Sequence, residues 1–398
     1  MHNTLESILQ KAVDAGEIPG AATLAWRNGE VQTVCAGWRD REVHLPIERD
    51  TIFRLASMTK PITSVAALML VEQGRIALTD PISRYAPEFS HMRVLRSPEG
   101  PLDETDPAER PITLDDLLTH RAGLTYADFH EGAIGLAYRE ALGGEIDSDV
   151  PPDEWIGALA KLPLIGQPGS AMYYGRSTDL LGLLIARIEG MPLGALLERL
   201  ILGPLGMRDT GFRVPREQSH RRAAAYGFDD AGKLMKLTEW GVTVAERPEA
   251  MRYESGGAGL WSTADDYLKF ARLFVQGGEV EGVRLLRPET LALMASNRLT
   301  DDQRARSTLL GSKPFAVGRG FGMGVSVVME TDASDMMRRG NPGTVSWPGA
   351  YGAWWQADPT AGSVLIFLAT SVASMDQMSK GTGLGVWMAI GAFQRLTS

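Results

Sequence analysis

Strand-forming segments lie near the two ends of this chain and are separated by a long helical stretch. Ala21–Arg27 and Glu30–Trp38 flank Asn28-Gly29, a dipeptide suited to the positive φ angles of a tight turn, so the three read as a β-hairpin. The next strand-like runs are Gly322–Met329, Thr344–Trp347, Tyr351–Ala357 and Ser363–Ala369. An isolated hairpin is marginal in water, so the sheet has to be assembled from both ends of the chain. Everything between then becomes an insertion.

That insertion reads as helical and loop-rich from Asp80 to Arg247. Leu114–Leu118, Asp153–Lys161, Ser177–Glu189 and Leu193–Leu200 carry helix periodicity, Pro and Gly clusters separate them, and no strand-rich run is expected among them. The expected class is α+β: an antiparallel sheet flanked by helices plus an inserted, mainly helical domain. Residues 1–80 and 248–398 form the discontinuous sheet domain and residues 81–247 the insert, which suits a chain of 398 residues. Helices are expected within the first twenty residues, over Ser57–Gly74, over Thr263–Val275 and over Leu384–Leu396. In Ser57–Gly74 the apolar residues Ile62, Val65, Ala66, Leu68, Met69 and Val71 cover most of the circumference, which predicts burial on several sides. A cleft between the two parts is the expected site.

Composition removes several function classes. A net charge of −9 and a pI near 5.3 lack the basic face that replaces phosphate counterions, so no nucleic-acid partner is expected. The single cysteine, Cys35, rules out an internal disulfide and reads as a buried thiol. Charged residues interrupt the apolar positions Leu5, Ile8, Leu9, Ala12 and Val13, so the start lacks a signal-peptide core. No apolar run has the length of a membrane span. The expectation is a cytoplasmic protein with no membrane partner. The chain lacks His-Glu-x-x-His and its six histidines are scattered, so no metal and no cofactor are expected. Gly-x-Ser-x-Gly is also absent, which disfavours the α/β-hydrolase nucleophile elbow.

The chemistry-bearing segment is Ser57-Met58-Thr59-Lys60. At a helix start, residues three apart share a face, so Lys60 reaches the Ser57 hydroxyl. A lysine desolvated in a cleft holds its proton less tightly and becomes a base for serine. With 23 serines and 8 lysines, chance alone supplies about half a Ser-x-x-Lys, so the motif needs company. The company is Pro168-Gly169-Ser170-Ala171-Met172-Tyr173-Tyr174-Gly175-Arg176-Ser177, which puts tyrosines at a helix entrance, and Ser346-Trp347-Pro348-Gly349-Ala350-Tyr351-Gly352, whose backbone amides can approach a substrate.

With these residues the chain resembles the class C β-lactamase and penicillin-binding-protein superfamily, and within it the family VIII carboxylesterases. Ser57-x-x-Lys60 matches the first motif, Tyr174-Gly175-Arg176 falls where the family has Tyr-x-Asn, and Trp347-Pro348-Gly349 falls where lactamases have Lys-Thr-Gly. The resemblance implies a β-lactamase/transpeptidase-like fold and an acyl-enzyme on Ser57. It implies that Lys60 and Tyr174 shuttle the proton and that the backbone amides of Ser57 and Ala350 form the oxyanion hole. Tyr173 is the rival for the tyrosine role; counting from Pro168-Gly169 favours Tyr174. Leu117–Leu124 and Ser255–Leu260 also resemble the family, and there His120 has a structural part.

The departures bear on substrate. Trp347 stands where lactamases have a lysine for the substrate carboxylate, so an anionic substrate loses its cation. Arg176, in place of asparagine, either supplies a substitute charge or points outward in a salt bridge. An aromatic rim of Tyr126, Tyr173, Trp347 and Tyr351, with Gly349 also at the substrate, suits uncharged esters with short acyl chains. The expected partner is a small-molecule ester, with a β-lactam as the alternative. The competing readings are a β-lactamase or D-amino-acid peptidase, an acyltransferase, and a non-catalytic binding protein of the same fold.

Overall fold

A computed structural model describes residues 2–144, 146–237, 251–309 and 311–397. Its largest sheet has eight strands in the order 319–321, 326–328, 345–349, 353–358, 363–369, 20–27, 30–40 and 45–46, each antiparallel to its neighbours. The join between the ends of the chain is the pairing of Gly20–Arg27 with Ser363–Ala369, in which Leu24 faces Ile366. Side chains alternate across that strand. Val364, Ile366 and Leu368 face the core containing the helix Thr59–Glu72, while Leu365, Phe367 and Ala369 face the helices His2–Asp14 and Gly385–Thr397. Consecutive tryptophans split the same way. Trp354 packs with the terminal helices, and Trp355 packs with Tyr267 and Phe274.

The sheet's inner core continues without a break into the helical residues. Leu24 and Ile366 belong to the same apolar cluster as Leu68, Leu117, Trp155, Leu184 and Leu197. Ser177–Glu189 ends at Gly190, whose φ of +65° suits the left-handed position that closes a helix. Leu193–Leu197 passes directly into a π-helical turn over Glu198–Leu202, a widening that the sequence pattern does not show.

Three expectations need correction. Gly322–Met329 is not one strand: Arg319–Phe321 and Ser326–Val328 pair with each other around a turn that contains Gly324 at φ +81°. The helical stretch also contains short strands, Arg93–Leu95 with Thr105–Pro107 and Tyr226–Phe228 with Leu234–Lys236. They are too brief for a period-two pattern to stand out. Finally, the helix Ala133–Leu142 was not expected. The domain boundary expected between 247 and 248 lies outside the described residues. Among the described residues no single helix is long and apolar enough to cross a membrane; Ser177–Glu189 with Leu193–Leu202 passes only as a pair bent by 79°.

Phe367 is fully buried between the sheet and Phe393, 6.2 Å away ring to ring. Phe367→Ala is expected to destabilise the fold by about 3–5 kcal/mol, read as a lower midpoint in urea unfolding. A midpoint within error of the parent would contradict the packing described.

Candidate active site

The turn that carries Ser57 is set by its neighbours. Phe53–Arg54 pairs with Trp261–Ser262, and the Leu55 amide donates to the Leu260 carbonyl at 2.9 Å. The chain then turns sharply at Ala56, whose φ of +45° lies in the left-handed region that costs an L-residue roughly 1–2 kcal/mol. A single 3₁₀ turn, Ala56–Met58, leads directly into Thr59–Glu72. The helix N-cap is Met58, and no side chain caps it. Ser57 therefore does not serve as a cap, and its half-buried hydroxyl is available to Lys60.

Lys60 is fully buried, and its Nζ meets three oxygens. It donates to Ser57 Oγ at 3.1 Å, to Tyr126 Oη at 3.0 Å and to the Gly257 carbonyl at 2.8 Å. A buried amino group needs such partners, because leaving it unsatisfied costs several kcal/mol. Gly257 is itself fixed: its amide donates to Asp179 Oδ1 at 3.2 Å, as does the Tyr253 hydroxyl. Ser255 Oγ donates to the same carboxylate oxygen. Only glycine fits at 257, since a Cβ there would fall 2.7 Å from Asp179 Oδ2. Burial, with the nearby Asp179 charge second, holds the Tyr253 phenol well above its ordinary pKa and keeps it neutral.

The tyrosines are arranged differently from the expectation. The phenol that meets Lys60 is Tyr126, assigned from sequence to pocket lining. Tyr174 presents its ring to Lys60, with Nζ 4.7 Å from the ring centroid, and its hydroxyl accepts from Trp347 Nε1 at 3.0 Å. The two tyrosine-bearing segments can lie side by side because residue 175 is glycine. A Cβ there would sit 2.3 Å from Thr125 Cα. The Tyr126 and Tyr174 rings consequently meet edge to face at 5.6 Å. Phe129 stacks on Tyr174 at 6.2 Å, a site neighbour that no pattern in the sequence marks.

Three pocket assignments change. Trp347 is 2% exposed and lies behind Tyr174 against Phe321 and Met172, so it positions Tyr174 instead of forming a rim. Tyr173 turns the other way: its hydroxyl lies 2.8 Å from Ser170 Oγ, and its phenol covers Gly166. Arg176 neither points outward nor reaches into open space. It is 1% exposed, with its guanidinium 5.2 Å from the Tyr126 ring centroid, 5.9 Å from that of Trp155 and 3.8 Å from Asp179. His120 is fully buried, and its Nδ1 accepts from the Gly175 amide at 3.4 Å while Nε2 lies 3.3 Å from Thr178 Oγ1. Burial, followed by the Lys60 charge, pushes its pKa well below 6.5, so it is a neutral brace for the Tyr174 segment.

The third wall is the end of the strand Val345–Gly349. Gly349 abuts the turn that carries Ser57 so closely that a Cβ would lie 2.4 Å from the Leu55 carbonyl oxygen. Ala350 is exposed at the turn that follows this strand end. Among the described residues no group of three or more His, Cys, Asp or Glu side chains could hold a metal ion.

The beta-lactamase family model matches residues 5–384. The chain belongs to the beta-lactamase family. Esterase EstB of Burkholderia gladioli is 33% identical over 393 residues, covering 93% of this chain and 91% of its own. Protein Rv1367c of Mycobacterium tuberculosis is 44% identical over 365 residues, covering 91% and 88%. Among solved structures, EstCE1, a hydrolase with promiscuous acyltransferase activity, superposes with a TM-score of 0.77 at 29% identity and 98% coverage of both chains. This member of the beta-lactamase family therefore stands with the family VIII esterases of the serine β-lactamase superfamily, in the expected α+β fold.

Two outcomes test this geometry. Trp347→Phe removes the donor to Tyr174 but keeps an aromatic ring, and kcat on an ester is expected to fall about three- to tenfold, as for loss of one neutral hydrogen bond; an unchanged kcat would show that the bond does not orient Tyr174. His120 predicts a pH effect on stability. Its folded pKa is depressed, so the unfolded chain binds the extra proton first. Its contribution is fully present above about pH 6.5 and declines as pH falls toward the folded pKa. In thermal melts between pH 7 and 5, His120→Gln should lose less stability than the parent.

Proposed function

We propose that this protein hydrolyses short-chain carboxylic esters through an acyl-enzyme on Ser57. The observation that carries this reading is the buried Lys60 amino group, 3.1 Å from Ser57 Oγ and 3.0 Å from Tyr126 Oη. With one proton removed from Nζ, its lone pair takes the direction of Ser57 and accepts the hydroxyl proton as Oγ attacks the ester carbonyl. The amides of Ser57 and Ala350, at the nucleophile turn and the adjoining strand end, stabilise the oxyanion. The C–O bond to the alcohol breaks, and the alkoxide recovers a proton from the lysine–tyrosine group. Water then gives its proton to the same group and attacks the acyl carbon; the bond to Oγ breaks, Oγ takes that proton back, and the acid and free Ser57 are released.

The roles of the tyrosines follow from their contacts. Tyr126 is the immediate partner of Lys60. Tyr174, whose oxygen accepts from Trp347, keeps its own O–H proton for the leaving group. Trp347 uses its only donor in that bond and offers no cation to a substrate carboxylate, which favours uncharged esters over β-lactams. Similarity to Esterase EstB supports the same choice. A second reading has a specific basis in EstCE1, named as a hydrolase with promiscuous acyltransferase activity: an alcohol replaces water in the second step.

The test is turnover of p-nitrophenyl acetate and butyrate and of a chromogenic cephalosporin, with and without an added short alcohol, using the parent and Ser57→Ala. Ester hydrolysis that drops at least a thousandfold in Ser57→Ala, with little cephalosporin cleavage, is expected. Faster cephalosporin cleavage would replace the esterase reading with a lactamase, and transfer to the alcohol exceeding hydrolysis would replace it with an acyltransferase. Equal activity in Ser57→Ala would remove Ser57 as nucleophile.

A further inference from the structure

The segment that follows the helix Ala133–Leu142 is held by two buried guanidinium groups. Arg176 donates to the Gly144 carbonyl at 3.0 Å, and Arg54, 4% exposed, pairs with fully buried Asp147. Arg54 is fixed in turn, lying 4.8 Å from the Trp261 ring centroid within the strand that leads to the nucleophile. Ser148 Oγ ties the segment back to the Leu142 carbonyl at 2.7 Å and accepts from the Val150 amide at 3.1 Å. A buried ion pair is an expensive way to cover a core, because desolvation offsets most of its attraction and apolar packing would serve better. What the pair supplies is fixed position. Gly144 and Asp147 flank Ile146, so the clamps hold that side chain in place.

Ile146 is buried and packs in a separate apolar cluster with Ala56, Ala258 and Tyr351. Each of those neighbours adjoins the machinery described above. Ala56 precedes Ser57, Tyr351 follows Ala350, and Ala258 follows Gly257, the carbonyl that accepts from Lys60. Two of the buried neighbours are alanines, so the bulk of the buried cluster comes from Ile146 and Tyr351, with partly buried Ala225 and Val372 against it. On the esterase reading, an ester carbon attacked by Ser57 has its oxyanion turned to the backbone amides and its leaving oxygen turned to the Tyr174 hydroxyl. The remaining substituent is the acyl chain, the apolar group that an apolar wall suits.

We infer that Ile146 determines the acyl-chain length this enzyme accepts, held for that purpose by Arg54–Asp147 and Arg176. The inference rests on the esterase reading and names its specificity-determining residue. Shortening the side chain opens the wall to additional methylenes, and each methylene buried is worth a several-fold gain in affinity. Tyr351, the other bulky member of the cluster, is unchanged by that substitution.

The experiment compares kcat/KM for p-nitrophenyl acetate, butyrate, hexanoate and octanoate in the parent, Ile146→Ala, Ile146→Val and Ile146→Phe, with thermal melts to establish folding. In Ile146→Ala the hexanoate-to-acetate ratio is expected to rise about tenfold and in Ile146→Phe to fall by a similar factor. Ile146→Val keeps the test decisive if the alanine variant unfolds, and its ratio should rise about threefold. Folded variants that hydrolyse esters with the parent's ratio overturn the inference and leave the esterase reading intact. A change seen only when the alcohol is varied at fixed acetyl, with acetate esters of methanol, butanol and hexanol, overturns the acyl assignment. Absence of Ser57-dependent turnover of every ester in the parent overturns the esterase reading itself.

Discussion

A lysine amino group with no contact with water dictates much of the geometry around it. Lys60 lies in the first turn of a core helix, and its acceptors come from the nucleophile turn, the Tyr126 segment and the Gly256–Gly257 segment. Each acceptor is placed by further contacts. Gly257 is fixed through Asp179 on the helix Ser177–Glu189, and Tyr126 is packed between Arg176 and the Tyr174 ring. Loss of one acceptor leaves a polar group stranded in a low-dielectric interior, which is costlier than the same loss at a surface. The site and the core are for this reason one unit: the side chain that meets the Ser57 hydroxyl also joins the Tyr126 and Gly257 segments.

Ala56 shows the same coupling on the backbone. Its left-handed φ is a local cost, and the surroundings leave it little alternative. Leu55 is bonded to Leu260 on one side and abutted by Gly349 on the other, so the turn cannot relax without separating two sheet elements. The residue at 56 is small, as a turn compressed between two strands requires.

Legibility in the sequence follows the range of each interaction. Ser57 and Lys60 stand three residues apart on one helix, so their contact could be read directly, as could the hairpin at Asn28-Gly29 and the apolar strand Ser363–Ala369. The order of the tyrosines could not. Which phenol reaches Lys60 depends on the close approach of Thr125 and Gly175 and on the indole of Trp347, all distant in sequence. Arg176 was misplaced for a related reason: a guanidinium reads as a surface group unless its buried partners, here the Gly144 carbonyl, Asp179 and two aromatic rings, are already known. The strand over Gly322–Met329 misled because an apolar run hides a turn when glycine is the only break.

The pairing of Gly20–Arg27 with Ser363–Ala369 has a consequence in time as well as in space. A ribosome delivers Ser57 and Lys60 well before Trp347 and Gly349, which contact Tyr174 and adjoin the turn that carries Ser57. Closing a loop of that span is slow compared with forming a helix. Until those strands dock, the turn that carries Ser57 lacks the wall that Gly349 supplies, so a pair that is local in sequence gains its full surroundings only when the sheet is complete.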